Sequence, residues 1–207
     1  MITIAVTGGA ACGKSAFCRR FAAQAPVGRA AVFSCDDEVR RLSQEPEVRE
    51  ALGDLARSHG LAAPPGGGEG ADRAAFRELL FENSGFRGKV EGMLHPLVLR
   101  RAMEHAAGLP GGVRIYLVEV PLLYEVDFPI PRDMDLVVAA SEPVQTRRLV
   151  DGRGLELAAA RRVLRSQMKI EEKIKRADLV VWNDGGLPAF EAQADHLLAR
   201  YETLLNP

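Results

Sequence analysis

The sequence has 207 residues, of which 47% are hydrophobic and 27% charged, with a formal net charge of −1 at pH 7. This composition is typical of a globular protein with one sizeable domain. The near-neutral charge gives no reason to expect general nucleic-acid binding, and no run of 18 apolar residues predicts a membrane span. Three cysteines without metal-site spacing, and a start without signal-peptide features, predict a cytoplasmic location.

Short apolar runs predict buried strands, with helical patterns between them. The runs are Ile2–Thr7, Ala30–Ser34, Arg114–Val120, Asp135–Ala140 and Asp178–Trp182. Short apolar strands that alternate with helices are typical of a parallel sheet covered on both faces. The predicted fold class is therefore α/β, with a doubly wound five-stranded parallel sheet flanked by helices.

A glycine-rich motif follows the first strand. Gly8 and Gly13-Lys14-Ser15 match G-x-x-x-x-G-K-[ST], the phosphate-binding loop of nucleoside-triphosphate enzymes. The helix N-terminus behind such a loop presents unpaired N–H groups and a positive dipole end, which attract phosphate. Lys14 would reach the β- and γ-phosphates of ATP, and the Ser15 hydroxyl would ligate Mg²⁺. The alternative is a tight turn whose lysine is solvated. The candidate nucleotide-binding residues are Gly8, Gly9, Ala10, Ala11, Cys12, Gly13, Lys14 and Ser15.

An acidic pair lies at the end of the second predicted strand. Asp36 and Asp37 are at the carboxyl edge of the sheet, where open α/β proteins bind ligands. Phosphoryl transfer needs a carboxylate near the acceptor hydroxyl, so this pair is a candidate for that role. Alternatively, either residue caps a helix that begins near Glu38.

Two segments are longer than the connections that a minimal fold of alternating strands and helices requires. About eighty residues separate the second and third strands and include a Gly- and Pro-rich loop at 61–72, which predicts a helical insertion at about 46–112. Residues 142–176 contain ten lysines and arginines. Beside a phosphate loop they predict a mobile lid that closes cations over phosphates; the alternative is a solvated helical pair. The chain would then be a single domain with a core of residues 1–45, 113–141 and 177–207.

Further segments carry a more specific resemblance. They are Asp36 followed by Arg40, "HPLV" at 95–98, "VEVPLLYE" at 118–125, the "QTRRL" and "RGL" pieces, Gln167 and "KIKRADLVVWNDG" at 173–185. With the phosphate loop, they make nearly the whole chain resemble the dephospho-coenzyme A kinase family. Members of this family use ATP to phosphorylate the ribose 3′-hydroxyl of dephospho-CoA, the last step of coenzyme A synthesis. The resemblance implies a P-loop kinase fold, ATP and Mg²⁺ as cofactors, and dephospho-CoA as the small-molecule partner.

The resemblance also implies roles on the acceptor side. Asp36 would accept the proton of the acceptor hydroxyl, and Arg40 would bind the acceptor phosphates or the transition state. His95, Pro121 and Leu122 would line the acceptor site, which the helical insertion would partly build. Alternatively, His95 starts or kinks a helix before Pro96.

On the nucleotide side, the resemblance implies that Arg148 of the lid contacts the ATP phosphates. Lys14 and Arg148, with Asp36, would be the catalytic residues. Glu119 would hold a water on Mg²⁺, or would only pair with a neighbouring cation. Asn183 and Gly185 would border the adenine, or would form a turn after the last strand.

Three positions depart from the family pattern. Ser34 stands where members commonly have Asp, so a second carboxylate near Asp36 is missing. Arg153 follows Arg148 by five residues instead of four, so only Arg148 is assigned to the lid. Cys12 replaces a Ser or Thr; at a helix N-terminus beside a lysine, its thiol would ionise readily and be alkylated first. The alternative is that the loop folds this side chain inward and leaves it inert.

Other functions share some of these features. A nucleoside monophosphate or shikimate kinase would have the loop and the lid, but not the "HPLV" and "VPLLYE" segments. A GTPase-like switch would need an N/T-K-x-D signature, which the sequence lacks. Nucleic-acid binding through the basic helices would show a steep salt dependence, which we expect to be absent. The sequence does not predict the oligomeric state.

Overall fold

The computed structural model describes residues 1–61 and 70–205. The strands in these residues are β1 (Ile2–Gly8), β2 (Ala30–Ser34), β3 (Ile115–Glu119), β4 (Met134–Ala139) and β5 (Leu179–Trp182). The helices are α1 (Lys14–Gln24), α2 (Cys35–Leu42), α3 (Pro46–Arg57), α4 (Gly70–Glu82), α5 (Ser84–Ala107), α6 (Glu142–Arg153), α7 (Leu157–Arg165), α8 (Ile170–Arg176) and α9 (Leu187–Leu205). Every predicted strand is present, with ends that differ by at most one residue.

The strands form one parallel sheet in the order β2-β3-β1-β4-β5. Its register aligns the carboxyl ends of the strands: Glu119 of β3 lies opposite Val6 of β1 on one side and Ser34 of β2 on the other. On the far side of β1, Gly8 lies opposite Val138 of β4. The predicted fold class, an α/β sheet of five parallel strands, is confirmed.

Helices α1 and α9 pack on the sheet through aromatic side chains. Phe17 and Phe21 of α1 are fully buried, and Phe190 of α9 is nearly so. The rings of Phe17 and Phe190 lie 6.5 Å apart. Each buried ring removes a large apolar area from water, worth roughly 2 kcal/mol or more of stabilisation. These two helices therefore fix the segment that follows β1.

The chain divides into two compact units. The first is Met1–Cys35 with Ala102–Pro207 and contains the sheet; the second is Asp36–Arg101 and is helical. Within the second unit, Phe86 meets the rings of Phe76 and His59 at 5.2 and 4.9 Å. Of the loop predicted at 61–72, residues 62–69 lie outside the described residues, and α4 already begins at Gly70.

Two of the alternative interpretations differ from the structure. Helix α2 begins at Cys35 and not near Glu38, so Asp36 and Asp37 lie in its first turn instead of capping it. Carboxylates in a first turn interact favourably with the helix dipole, so this start is also stable. Residues 142–176 form three helices, α6, α7 and α8, and not the helical pair of the alternative interpretation; Gly154, with a left-handed φ of 67°, ends α6.

Strand β5 lies at one edge of the sheet, and α9 contacts its outer backbone. The side-chain amide of Gln193 accepts a hydrogen bond from Trp182 N at 3.1 Å and donates one to Trp182 O at 2.9 Å. The side chains of Val180 and Trp182 on this strand are exposed.

Gly8→Ala is expected to destabilise the protein strongly. Gly8 has a φ of 147°, and a Cβ added there would lie 2.1 Å from the backbone oxygen of Val138. We expect the free energy of unfolding to fall by about 3 kcal/mol or more, measured by urea denaturation.

The control is Gly152→Ala in α6, where a Cβ would meet no atom of the described residues within 4 Å apart from its chain neighbours and the nearby backbone of its own helix. An alanine in a helix is usually more stable than glycine by up to about 1 kcal/mol, so this variant should not be destabilised. Equal stabilities of the two variants would contradict the close contact at Gly8.

Candidate active site

The glycine-rich motif forms a tight loop between β1 and α1. Positive φ angles occur at Gly8, Ala11 and Gly13, which turn the chain sharply before the helix. Helix α1 begins at Lys14, directly after the loop. The N–H groups of its first turn have no acceptor within the helix, so loop and helix together present amide donors to an anion.

Lys14 lies across its own loop. Its side chain is largely buried, and Nζ donates hydrogen bonds to the backbone oxygens of Gly9 at 3.0 Å and Gly8 at 3.2 Å. The amine is therefore held beside the amide groups that would meet a phosphate. A bound phosphate would compete with these two carbonyls for the same ammonium group.

Ser15 and Glu119 meet where α1 begins and β3 ends. The Ser15 hydroxyl donates a hydrogen bond to Glu119 Oε1 at 2.7 Å. Ser15 is exposed, whereas Glu119 is only 4% exposed. A hydroxyl beside a carboxylate supplies the oxygen ligands that Mg²⁺ prefers. The described residues contain no group of three or more His, Cys, Asp and Glu that would hold a metal by themselves. The pair therefore fits an ion that also takes ligands from phosphates and water.

Arg148 reaches the loop from α6. Its guanidinium donates to Ala11 O at 3.2 Å, to Asn183 O at 2.9 Å and to Asn183 Oδ1 at 3.2 Å. Arg153, the last residue of the same helix, is exposed. The structure thus places Arg148 beside the phosphate loop, and its role in a lid stays a prediction.

Asn183 supports the loop from the end of β5. This buried side chain donates through Nδ2 to Cys12 O at 2.8 Å. The same nitrogen would lie 2.5 Å from a Cβ added at Gly13, so glycine is required there. Gly185 follows in an exposed segment before α9. Contact of Asn183 and Gly185 with an adenine stays a prediction, and the support of the loop is a contact that the sequence did not indicate.

Two further residues of the basic segment contact the loop. Gln167 Oε1 accepts a hydrogen bond from Ala10 N at 2.8 Å. Lys173 is fully buried and donates to Gly8 O and Pro121 O, while pairing with Glu125. Burial lowers the pKa of Lys173, and Glu125 opposes this shift. The sequence did not single out this lysine among the ten cations of 142–176. Its position one turn after buried Ile170 in α8 was the available signal.

The residues assigned to the acceptor belong partly to the second unit and partly to the first. In the second unit, Asp36 and Arg40 are exposed on α2, and Arg40 pairs with Asp37 at 2.5 Å. His95 lies inside α5, which continues through Pro96, so this histidine neither starts nor ends the helix. It is half-buried, and burial lowers its pKa.

In the first unit, Pro121 and Leu122 lie just beyond β3, after Val120, and are half-buried. Thr7, at the end of β1, donates its hydroxyl hydrogen to Pro121 O at 3.2 Å. This contact joins the "VPLLYE" segment to the strand that precedes the phosphate loop. The structure therefore brings these two sequence motifs together.

Cys12 does not have the properties of a reactive thiol. Its side chain is completely buried, and burial raises its pKa, although Lys14 acts in the opposite direction. The hypothesis that Cys12 ionises readily is therefore wrong, and the alternative of an inward-facing side chain is correct. The cost of removing a thiolate from water exceeds the attraction of the nearby lysine.

None of the helices in the described residues is both long and apolar enough to span a membrane.

The sheet, the loop and the helix behind it define a P-loop kinase. The chain superposes on a protein from Thermus thermophilus with a TM-score of 0.76 and 30% identity, covering 96% of this chain and 97% of that one. It also superposes on a shikimate kinase from Acinetobacter baumannii with a TM-score of 0.55 and 13% identity, covering 100% and 96% of the two chains. The second likeness shows the shared fold.

Sequence relationships identify the family within this class. The family model described as dephospho-CoA kinase matches residues 2–189. A dephospho-CoA kinase from Anaeromyxobacter dehalogenans is 37% identical over 203 residues, which cover 96% of this chain and 92% of the relative. The chain therefore belongs to the dephospho-CoA kinase family, and the resemblance found in the sequence is confirmed.

The burial of the cysteines predicts slow alkylation of the native protein. Cys12 and Cys18 are inaccessible, and burial raises the pKa of both thiols. With iodoacetamide at pH 8, peptide mass analysis should show both residues labelled much more slowly than in denaturant, where all three cysteines serve as the control. Rapid labelling of Cys12 in the native protein would contradict its inward orientation.

Proposed function

We propose that the protein transfers the γ-phosphoryl group of ATP to the ribose 3′-hydroxyl of dephospho-CoA, which gives coenzyme A and ADP. One observation carries this proposal: a chain of the dephospho-CoA kinase family holds Lys14 against a complete phosphate-binding loop, with Ser15 and Glu119 joined beside it. This reaction is the last step of coenzyme A synthesis.

The loop residues Gly8 to Ser15 would bind the triphosphate through their backbone N–H groups. Lys14 would leave its carbonyl acceptors and stabilise charge on the phosphoryl group in transfer. Arg148 would add a second cation, since its guanidinium already touches Ala11 of the loop. Asn183 and Gly185 would border the adenine at the end of β5. We also propose that residues 142–176 act as the lid that carries Arg148.

Mg²⁺ fits the oxygen pair at the base of the loop. Ser15 would be a direct ligand, and Glu119 would hold a water of the ion, because the two oxygens are 2.7 Å apart. A bound Mg²⁺ neutralises charge on the β- and γ-phosphates during transfer. The buried position of Glu119 keeps its carboxylate in one orientation for this task.

Asp36 is our proposed general base for the ribose hydroxyl. Its carboxylate lies in the first turn of α2 and is exposed, whereas the neighbouring Asp37 is engaged by Arg40. Since Ser34 carries no carboxylate, Asp36 would act without a second acid on β2. This arrangement supports a single-base mechanism.

Arg40 would bind the phosphates of the acceptor. Its exposed ion pair with Asp37 contributes only about 0–1 kcal/mol, so a phosphate can compete for the guanidinium. His95, Pro121 and Leu122 would contact the acceptor as the resemblance implies, and the helical insertion at about 46–112 would contribute part of that surface.

We further propose that the protein is located in the cytoplasm, where ATP is available. We also propose that it has neither a nucleic acid nor a membrane as a partner.

The proposal is tested with purified protein, Mg·ATP and dephospho-CoA, with mass detection of ADP and coenzyme A. Parallel reactions contain shikimate or AMP as the acceptor. Product is expected with dephospho-CoA alone, and Lys14→Ala prepared in the same way controls for a contaminating kinase. Turnover of shikimate or AMP without turnover of dephospho-CoA would reject the proposal in favour of another kinase of this fold.

Asp36→Asn should lower kcat by about 10²–10⁴-fold, because loss of a general base has this magnitude. Binding of Mg·ATP, measured by calorimetry, should be unchanged. Asp37→Asn is the matched control on the same turn and should retain most activity. More than about a third of wild-type kcat in Asp36→Asn would remove this residue from the role.

Arg148→Ala should lower kcat more than it weakens acceptor binding, since a guanidinium that meets charge mainly in the transition state has this effect. The control is Arg153→Ala at the exposed end of the same helix. Steady-state kinetics with both substrates varied separate the two parameters. A change confined to the KM for ATP would instead make Arg148 a ground-state contact.

A further inference from the structure

Lys173 is a fully buried cation beneath the phosphate loop. Its Nζ lies 2.8 Å from Glu125 Oε1, 2.9 Å from Pro121 O and 3.4 Å from Gly8 O. A lysine ammonium has three donors, and these three acceptors match them. Burial of a lysine is costly unless the charge is paired and hydrogen-bonded, so this position is closely specified.

Glu125 joins Lys173 to the turn between α7 and α8. Besides the ammonium, Glu125 Oε1 accepts a hydrogen bond from Met168 N at 3.0 Å. The adjacent Gln167 accepts from Ala10 N of the loop. Among the described residues, Glu125 Oε2 is buried without a hydrogen-bond donor, so Lys173 provides the main compensation for this charge. The basic segment is therefore attached to the loop at both Gly8 and Ala10.

Lys173 and Lys14 share one acceptor. Gly8 O receives Lys14 Nζ at 3.2 Å and Lys173 Nζ at 3.4 Å. When Lys14 turns to a phosphate, Gly8 O loses one of its two lysine donors but keeps Lys173, so this buried carbonyl is not left unsatisfied. Repulsion between the two ammonium groups also weakens the hold of Gly8 O on Lys14.

We infer that Lys173, held by Glu125, is a positioning residue for phosphoryl transfer: it keeps the Gly8 carbonyl and the loop in place while Lys14 moves to the nucleotide phosphates. This inference rests on the proposed ATP-dependent transfer. It assigns Lys173 no contact with either substrate, because its donors are all used by protein acceptors.

The test compares Lys173→Met with Lys175→Met. Methionine keeps a similar length without the charge, and Lys175 is an exposed lysine of the same helix that pairs with Glu172 at the surface. Calorimetry gives the Kd for Mg·ATP, and steady-state kinetics give kcat and the KM for dephospho-CoA. We expect Lys173→Met to raise the Kd and lower kcat by about tenfold or more each, with the KM for dephospho-CoA within about twofold of wild type. Lys175→Met should match the wild type.

If Lys173 had a purely structural role, the measurements on its variant would differ. Lys173→Met would then lower the Tm but keep the wild-type kcat and ATP affinity, and this result would overturn the inference. The double variant Glu125→Gln/Lys173→Met leaves no unpaired buried charge, so we expect it to fold even where misfolding would obscure the result with Lys173→Met alone. It should fold and still show the loss of ATP affinity; a folded double variant with wild-type affinity would also overturn the inference.

A double-mutant cycle tests whether Lys173 affects ATP affinity through Lys14. In a Lys14→Met background, Lys173→Met should cause little further loss of ATP affinity, because both changes remove one function. Full additivity would reject the coupling. Calorimetry of Mg·ATP binding needs no acceptor. Failure to phosphorylate dephospho-CoA would therefore reject the proposed function, whereas the ATP affinities of the variants would still test the role of Lys173.

Discussion

The close approach of β1 to β4 at Gly8 is the constraint on which the site depends. No side chain fits there, because the Val138 carbonyl occupies the position that a Cβ would take. The central strand can therefore run to the edge of the sheet and turn directly into the loop. Residues at the ends of two other strands then hold this segment: Glu119 of β3 accepts from Ser15 at the start of α1, and Asn183, just after the edge strand β5, donates to the Cys12 carbonyl. A rigid frame of this kind suits a site that must place a transferred group accurately.

The strands were predictable because each is a short apolar run, and short apolar runs between helical patterns are typical of strands buried in a parallel sheet. The helices of the basic segment were less clear. Their apolar residues are sparse, and Gly154 ends α6 through a backbone angle that the local pattern does not reveal. The start of α2 was also ambiguous from sequence, since an aspartate stabilises a helix both as a cap and within the first turn.

The site was predictable where its residues are contiguous. The motif from Gly8 to Ser15 indicated phosphate binding, and the segments shared with dephospho-CoA kinases indicated the family. The contacts of Lys173 and Glu125 were missed, because charged residues in a basic segment are usually solvated and their partners are distant in sequence. The orientation of Cys12 was open for a related reason: attraction to Lys14 and burial have opposite effects, and only the structure shows that burial dominates. The roles of Asp36, Arg40 and His95 stay predictions.

Gln193 has a consequence for how the protein behaves at high concentration. The exposed edge of a sheet is a template on which another chain can add a strand and begin to aggregate. By offering both a donor and an acceptor to Trp182, the amide of Gln193 imitates the pairing that an incoming strand would make. The side chains of Val180 and Trp182 on this strand are apolar and exposed, but the backbone groups of Trp182 are already paired and cannot bind an incoming strand. A single glutamine on α9 in this way occupies the outward-facing backbone groups of Trp182 at this edge of the sheet.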